Sequence, residues 1–319
     1  MKLCVPQYYK KFSCKGSSCS DNCCIGWEIG IDKKTEERYL SLGGELGDKI
    51  RKNLTRDGEY THFVLSNDRC PMLDGDNLCS IIKGAGYGYL CEICDGHPRY
   101  FLTLGDRVFG GLGMCCEEAV RLILTEDYEL CEVECSGFKF SDYDKELGDL
   151  VISEMTKLYI SLKGAERVSD AIDIIHRTAL SLQGKIDEEN TELNTHAPLL
   201  SVDYGEIIGS AFSSLEYMKD SLYPLLCQSA SVDLNCGLDS FMLRVIIYFV
   251  NRYFPKICED GDAVGWCGFI NLCALVCLRL LKLAGEDMDR CIEYLKEFSK
   301  EIEYCEENVD ALRDYVSLL

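Results

Sequence analysis

Beyond residue 141 the apolar residues recur at three- and four-residue spacing, the period of a helix with one buried face. Leu147, Leu150, Val151, Met155, Leu158, Tyr159 and Leu162 form one such stripe, and Val168, Ala171, Ile172, Ile175, Ala179 and Leu182 form a second. The same spacing predicts helices at 203–220, 238–253, 263–284, 287–305 and 308–318. The polar run GKIDEENTELNTHAPLL and the break FPKICEDGD interrupt them. Before residue 141 the pattern is shorter. WEIGID alternates as a strand does, EYTHFVLS is a second strand candidate, and RYFLTL and RVFGGL flank Gly105-Asp106 as a hairpin would. TEERYLSL opens a helix with Thr35 as cap, and MCCEEAVRLILTED opens another with Glu117 and Glu118 at its positive end. These patterns predict an α+β fold: a small cysteine-rich region at 1–140, with short strands and a hairpin, docked on a larger helical bundle at 141–319.

Charge and targeting signals narrow the function classes. The net charge of −21 argues against nucleic acid, which needs a basic face, and suits a basic protein partner. The first residues hold no apolar run long enough for a signal peptide. The most apolar segment, VGWCGFINLCALVCLRLLKL, is broken by Asn271 and Arg279 and falls short of an uninterrupted membrane span. A cytoplasmic protein with no membrane partner is expected, and that compartment keeps thiols reduced. No oligomeric state follows from the sequence.

Cysteine placement adds candidate chemistry. Thirteen of the 21 cysteines lie in the first 135 residues, mostly clustered, whereas the other eight are scattered among Leu, Val and Ile as small hydrophobes. The clusters are Cys14-x4-Cys19-x3-Cys23-Cys24, then Cys70 and Cys79 followed by Cys91-x2-Cys94, then Cys115-Cys116. Such spacings let loops present several thiolates to one centre, and soft thiolates select zinc, copper(I) or iron–sulfur clusters. One Cys-x2-Cys pair is fewer than the two knuckles usual for structural zinc, and the spacing also departs from the ferredoxin run. On this chemistry alone, zinc and iron–sulfur remain equal alternatives.

The blocks FSCKGSSCSDNCCIGWEIGIDKKTEERY, CPMLDGDNLCSIIKGAGYGYLCEICDGHPR and GLGMCCEEAVR resemble the signature blocks of the flagellin lysine N-methylase family, in that family's order over roughly residues 8 to 125. The first two also resemble a broader cysteine-cluster family that chelates zinc or iron. The methylase resemblance implies methyl transfer from S-adenosylmethionine to lysine ε-amines of flagellin, with a 4Fe–4S cluster. It implies Cys14, Cys19, Cys23, Cys24, Cys70, Cys79, Cys94 and Cys115 as metal ligands, and leaves Cys4, Cys91 and Cys116 as extras. His97 stands where the family pattern has a tyrosine. The alternative is a non-enzymatic zinc- or iron-binding module that mediates protein interaction.

Lysine methylation needs a neutral amine, although the free amine has a pKa of about 10.4. Aromatic walls discourage the proton and tolerate a cationic sulfonium. Trp27 and Tyr100, with Tyr87 and Tyr89, are the candidates, and Arg99 is the candidate for the donor's carboxylate. No side chain stands out as the catalytic base. The glycine-rich Gly84–Leu90 is preceded only by LCSII and followed by no convincing βαβ unit, so it reads as a turn between Cys79 and Cys94 and not as a dinucleotide loop. His62, His176 and His196 lie away from the clusters.

Overall fold

The computed structural model describes residues 2–26, 28–135, 137–138, 143–188 and 196–319. The fold is α+β, and the chain forms two compact units. The larger comprises Met1–Phe12, Phe101–Cys115 and Ala119–Leu319; the smaller comprises Ser13–Tyr100 with Cys116–Glu118. The division therefore does not run at 140. Strand pairing is the reason. Lys2–Pro6 lies parallel to Arg107–Leu112, with Leu3 opposite Val108, and antiparallel to Leu130–Glu134, with Val5 opposite Cys131. Arg99–Leu104 completes a four-stranded sheet on the other side of Arg107–Leu112. Leu3, Val5 and Val108 form a buried face, so the first strand cannot be separated from the larger unit without exposing it.

The expected hairpin at 99–112 is present. Gly105 sits in its turn at φ +58, and a Cβ there would come within 2.1 Å of the Tyr143 ring. Only glycine meets both demands.

The helical stripes fold as the spacing predicts, giving Lys145–Lys163, Val168–Ile186, Ser240–Tyr253, Ala263–Ala284, Met288–Phe298 and Glu306–Ser317. Ala263–Ala284 is long and apolar enough to cross a membrane, but 83% of its apolar window is buried among the helices of its own unit. Its polar breaks have partners there. Asn271 Nδ2 donates to Ile172 O at 3.1 Å, and Arg279 donates to Val232 O while its guanidinium lies 4.0 Å over the Tyr204 ring. The helices expected at 203–220 and 287–305 are each broken. Tyr204–Ile207 runs into a π-helical turn at Ile208–Phe212, and Met288–Phe298 into another at Ser299–Glu303.

In the smaller unit, Lys33–Ser41 and Gly44–Asn53 pack beside the hairpin Leu54–Asp57 and Tyr60–Phe63. The core is Ile29, Ile31, Tyr39, Ile50, Phe63, Met72 and Ile81, together with cysteines. Asp32, not Thr35, caps Lys33–Ser41: its Oδ1 accepts the Thr35 N–H at 2.9 Å. WEIGID contributes an isolated bridge, Gly30 to His62, in place of a strand. The Tyr60 ring crowds Gly30, where a Cβ would meet it at 2.8 Å.

Candidate metal centre

Three local devices aim the thiols of the smaller unit. The first is a backbone clasp: Cys70 N–H donates to Cys24 O at 2.8 Å, and Ile25 bridges Arg69. The second is the turn inside CPMLDGDNLC. Asp74 Oδ1 accepts the N–H groups of Asp76 and Leu78 at 2.9 Å each, and Arg69 donates to Asn77 Oδ1 at 2.7 Å. That turn lets Leu73 bridge Cys79, returning Cys79 toward Cys70. The third is Asp32, whose Oδ2 accepts the Glu92 N–H at 3.0 Å and so fixes the short helix Glu92–Gly96 that begins after Cys91. One carboxylate thus holds two helix starts.

The outcome is a shared lining. Cys70 and Cys91 are buried in the core of this unit, with Cys24, Cys79 and Cys94 packed against it. Cys24 and Cys23 are hydrogen-bonded thiol to thiol, and so are Cys94 and Cys91. The Cys94 thiol and nearby backbone N–H groups bring Cys91 down to about 7, while the same bond, with burial, pushes Cys94 well up. Its bond to Cys23 together with burial raises Cys24, and burial raises Cys70. Among the described residues, no three His, Cys, Asp or Glu side chains converge tightly enough to hold a metal ion. Coordination therefore requires side-chain rotation toward a common point. The donor chemistry fits a soft metal, because an entering cation supplies the charge that apolar burial withholds from thiolates.

The eight cysteines expected as ligands are placed unequally. Cys24, Cys70, Cys79 and Cys94 share the lining, and Cys23 is joined to it through Cys24. Cys14 is exposed, its sulfur accepting the Gly16 N–H at 3.4 Å; half-buried Cys19 donates to Asp21 O at 2.9 Å. Burial takes Cys19 up to about 11. Glu117 fixes their loop, accepting from Ser20 N at 2.9 Å and from the Ser20 hydroxyl and pairing with Lys15 at 2.5 Å. Cys115 belongs to the larger unit, where burial beside Tyr304 pushes it up to about 12. Cys91, set aside as an extra, lies in the lining. Its signal was the Cys-x2-Cys spacing to Cys94.

Of the expected donor-site residues, Arg99 donates to Asp95 O at 3.4 Å and Tyr100 is half-buried. Tyr87 is exposed, and Tyr89 lies 5.7 Å beneath the Arg38 guanidinium. Trp27 falls outside the described residues.

No family model matches the chain, and no solved structure matches it. Curated relatives do. The flagellar biosynthetic protein FliU of Salmonella muenchen is 35% identical over 130 residues, covering 38% of this chain and 76% of that protein. The lysine-N-methylases of Salmonella typhimurium and Salmonella choleraesuis are each 34% identical over 130 residues, again 38% of this chain but 32% of theirs. The aligned stretch thus spans about a third of each methylase. A shared ancestry over most of FliU, together with the cysteine blocks, places this chain in the flagellin lysine N-methylase family.

Proposed function

We propose that the protein methylates lysine ε-amines of flagellin with S-adenosylmethionine as donor, and that the thiols of the smaller unit hold a 4Fe–4S cluster. The observation that carries this reading is the match to two proteins named lysine-N-methylase. The shared thiol lining supports the metal. Cys24, Cys70, Cys79, Cys91 and Cys94 are the residues that would hold the cluster, Cys23 standing next to them. Such a cluster, held by thiolates, supplies a charged centre able to bind a donor's polar groups. The chain's own residues have the remaining tasks. Arg99 supplies a fork for a carboxylate, Tyr100 an aromatic wall, and the acidic surface draws in a basic protein. The lysine must arrive neutral, which an enclosed, desolvated slot favours. The place of action on this reading is the cytoplasm.

The test uses anaerobically purified full-length protein, analysed for iron, sulfide and zinc, then incubated with flagellin and S-adenosylmethionine. Mass spectrometry of flagellin peptides should show methyl increments on lysine. Their absence with folded, cluster-loaded protein overturns the reading. Stoichiometric zinc without sulfide, with no increments, would instead favour the metal-binding interaction module, which the thiols' position inside a structural core also suits.

A further inference from the structure

The larger unit contains a cleft of about 520 Å³ that the methylase reading has not yet used. This is within the range of about 300–1,000 Å³ common for ligand clefts. Three stretches build it: 216–218, the π-helical turn Ser299–Glu303, and 304–307 at the start of the last helix. A π turn inside a helix is a recurrent mark of functional sites.

The walls are fastened from behind. Asn308, 1% exposed, accepts the Glu216 N–H at 3.0 Å and donates to Glu216 O at 2.7 Å and Glu301 O at 2.8 Å. Buried Glu301 accepts the Met218 N–H at 2.6 Å, and the Tyr217 hydroxyl donates to Phe212 O at 2.6 Å. The backbone of the cleft is thus held in place, which lowers the ordering cost on the protein side.

Its lining is amphipathic. Tyr217, Tyr304 and Met218 give apolar surface, and Met218 is 57% exposed although large and apolar. Four glutamates, Glu216, Glu301, Glu306 and Glu307, line it with one lysine, Lys300, and the Lys219 charge also acts on Glu301. One turn before Glu301 on the same helix, Glu297 has a buried Oε1 with no hydrogen-bond partner, and its charge acts on Glu301. The lining therefore carries more carboxylates than ammonium groups. A hydrated divalent cation would have no use for the aromatic and thioether walls, and an anion would be repelled. A side chain with an apolar stem and a compact positive tip uses both.

We propose that this cleft docks a protonated lysine of the protein substrate other than the one methylated, its stem against Tyr217, Tyr304 and Met218 and its ammonium beside the exposed Glu306 and Glu307 carboxylates. The identity of the partner rests on the methylase reading; the site itself rests on the cleft. The cleft is roomier than one side chain, so it also takes flanking backbone.

The experiment is a titration of the full chain with a fluorescein-labelled flagellin peptide containing a single lysine, and with the same peptide carrying norleucine there. Norleucine keeps the stem and loses the charge. The lysine peptide should bind more tightly, and added salt should weaken it, as for a contact between exposed charges. Glu306 and Glu307 are exposed, so Glu306→Gln with Glu307→Gln leaves the packing intact, as circular dichroism would verify. The double variant should bind the lysine peptide about tenfold more weakly, roughly the loss of 1.4 kcal/mol. Equal binding of the two peptides, or unchanged affinity in the double variant, overturns the proposal. Methylation is read separately. Lysine-selective binding without methyl transfer to flagellin would leave the cleft standing and remove the methylase reading. Methylation with the same KM in variant and wild type would do the reverse.

Discussion

The two units use cysteine in different ways. In the smaller unit Cys24, Cys70, Cys79, Cys91 and Cys94 come from three separate segments and line one interior, two of them paired thiol to thiol. In the larger unit Cys267, Cys273 and Cys277 lie on one helix, wholly buried among Leu, Val and Phe, and burial alone is the main influence on their thiols, pushing each upward. The first arrangement requires the backbone to bring distant thiols together, which the Asp74 turn and the Asp32 double cap accomplish. The second requires only a small apolar side chain. Composition cannot separate the two; the supporting polar groups do.

The largest expected effect tests that contrast directly. Cys91→Ala or Cys94→Ala should remove most of the metal from anaerobically purified protein. Because metal-binding free energy is also folding free energy, on the order of 10 kcal/mol for tight structural sites, the variants should also lose a thermal transition. Cys273→Ala should keep both. Metal content and calorimetry on the three variants provide the comparison, and equal metal loss from both groups would abolish it.

What the sequence made legible follows the range of the forces involved. The stripes at 147–162 and 168–182 became helices because their spacing is local, and Gly105-Asp106 marked its hairpin because a tight turn constrains its own residues. The strand Lys2–Pro6 was not legible: its pairing with Arg107–Leu112 and Leu130–Glu134 spans more than a hundred residues, and no short pattern records that. For the same reason the boundary expected at 140 cut through a unit. The π turn at Ser299–Glu303 was hidden because its sequence continues a helical period. Within the candidate site, spacing revealed the cysteine groups but not their membership. Cys91 packs with Cys24, Cys70, Cys79 and Cys94 through bonds made by Asp32, Asp74 and backbone, which no short spacing records.

A second difference concerns buried carboxylates. In the larger unit Glu303 is fully buried, accepting from Tyr248 at 2.6 Å and Ser299 at 3.0 Å, with Arg252 at 3.3 Å. Glu303→Ala would take the carboxylate away from buried Arg252, which keeps its bond to the Tyr248 hydroxyl, at a cost of about 3 kcal/mol in denaturant unfolding. Burial holds the Glu303 carboxyl above the usual glutamate range. The folded state then binds the proton more tightly than the unfolded state, so this group's contribution to stability falls as pH rises from the unfolded carboxylate value through the folded one. The difference between wild type and Glu303→Gln, which cannot titrate, should shrink or reverse in that direction. A pH-independent difference would mean that Glu303 titrates alike in the folded and unfolded states, against the upward shift that burial gives it.

Glu117, in the smaller unit, should behave oppositely. Burial pushes its carboxyl up, but Lys15 and two bonds from Ser20 outweigh this and leave it lowered. Its contribution is present above the unfolded carboxylate value and is lost as pH falls through the lowered folded value. Lys15 is 41% exposed on its side chain, which limits the ion pair, so Glu117→Gln should cost about 1–2 kcal/mol, chiefly from the Ser20 bonds. The readout is local: faster hydrogen exchange at Ser20 and faster alkylation of Cys19. Global unfolding with no local change would mean that Glu117 supports the whole unit and not this loop alone.

The smallest effect is expected where cysteine is only packing. Cys273 is fully buried, near Arg252 and Glu303 but with burial the largest influence on its thiol. Cys273→Ala removes one sulfur's worth of buried surface and should cost about 1 kcal/mol. Cys273→Ser is the sharper probe, since it keeps the size and adds a polar hydroxyl. If the surroundings are apolar, an unpaired hydroxyl should cost a further 1–3 kcal/mol or so. If the hydroxyl instead reaches the Arg252–Glu303 pair, Ser should be no worse than Ala. Urea midpoints of the two variants at one pH decide it. A serine variant as stable as wild type would move Cys273 out of the packing class and into the polar network, and the contrast between the two units would then rest on Cys267 and Cys277.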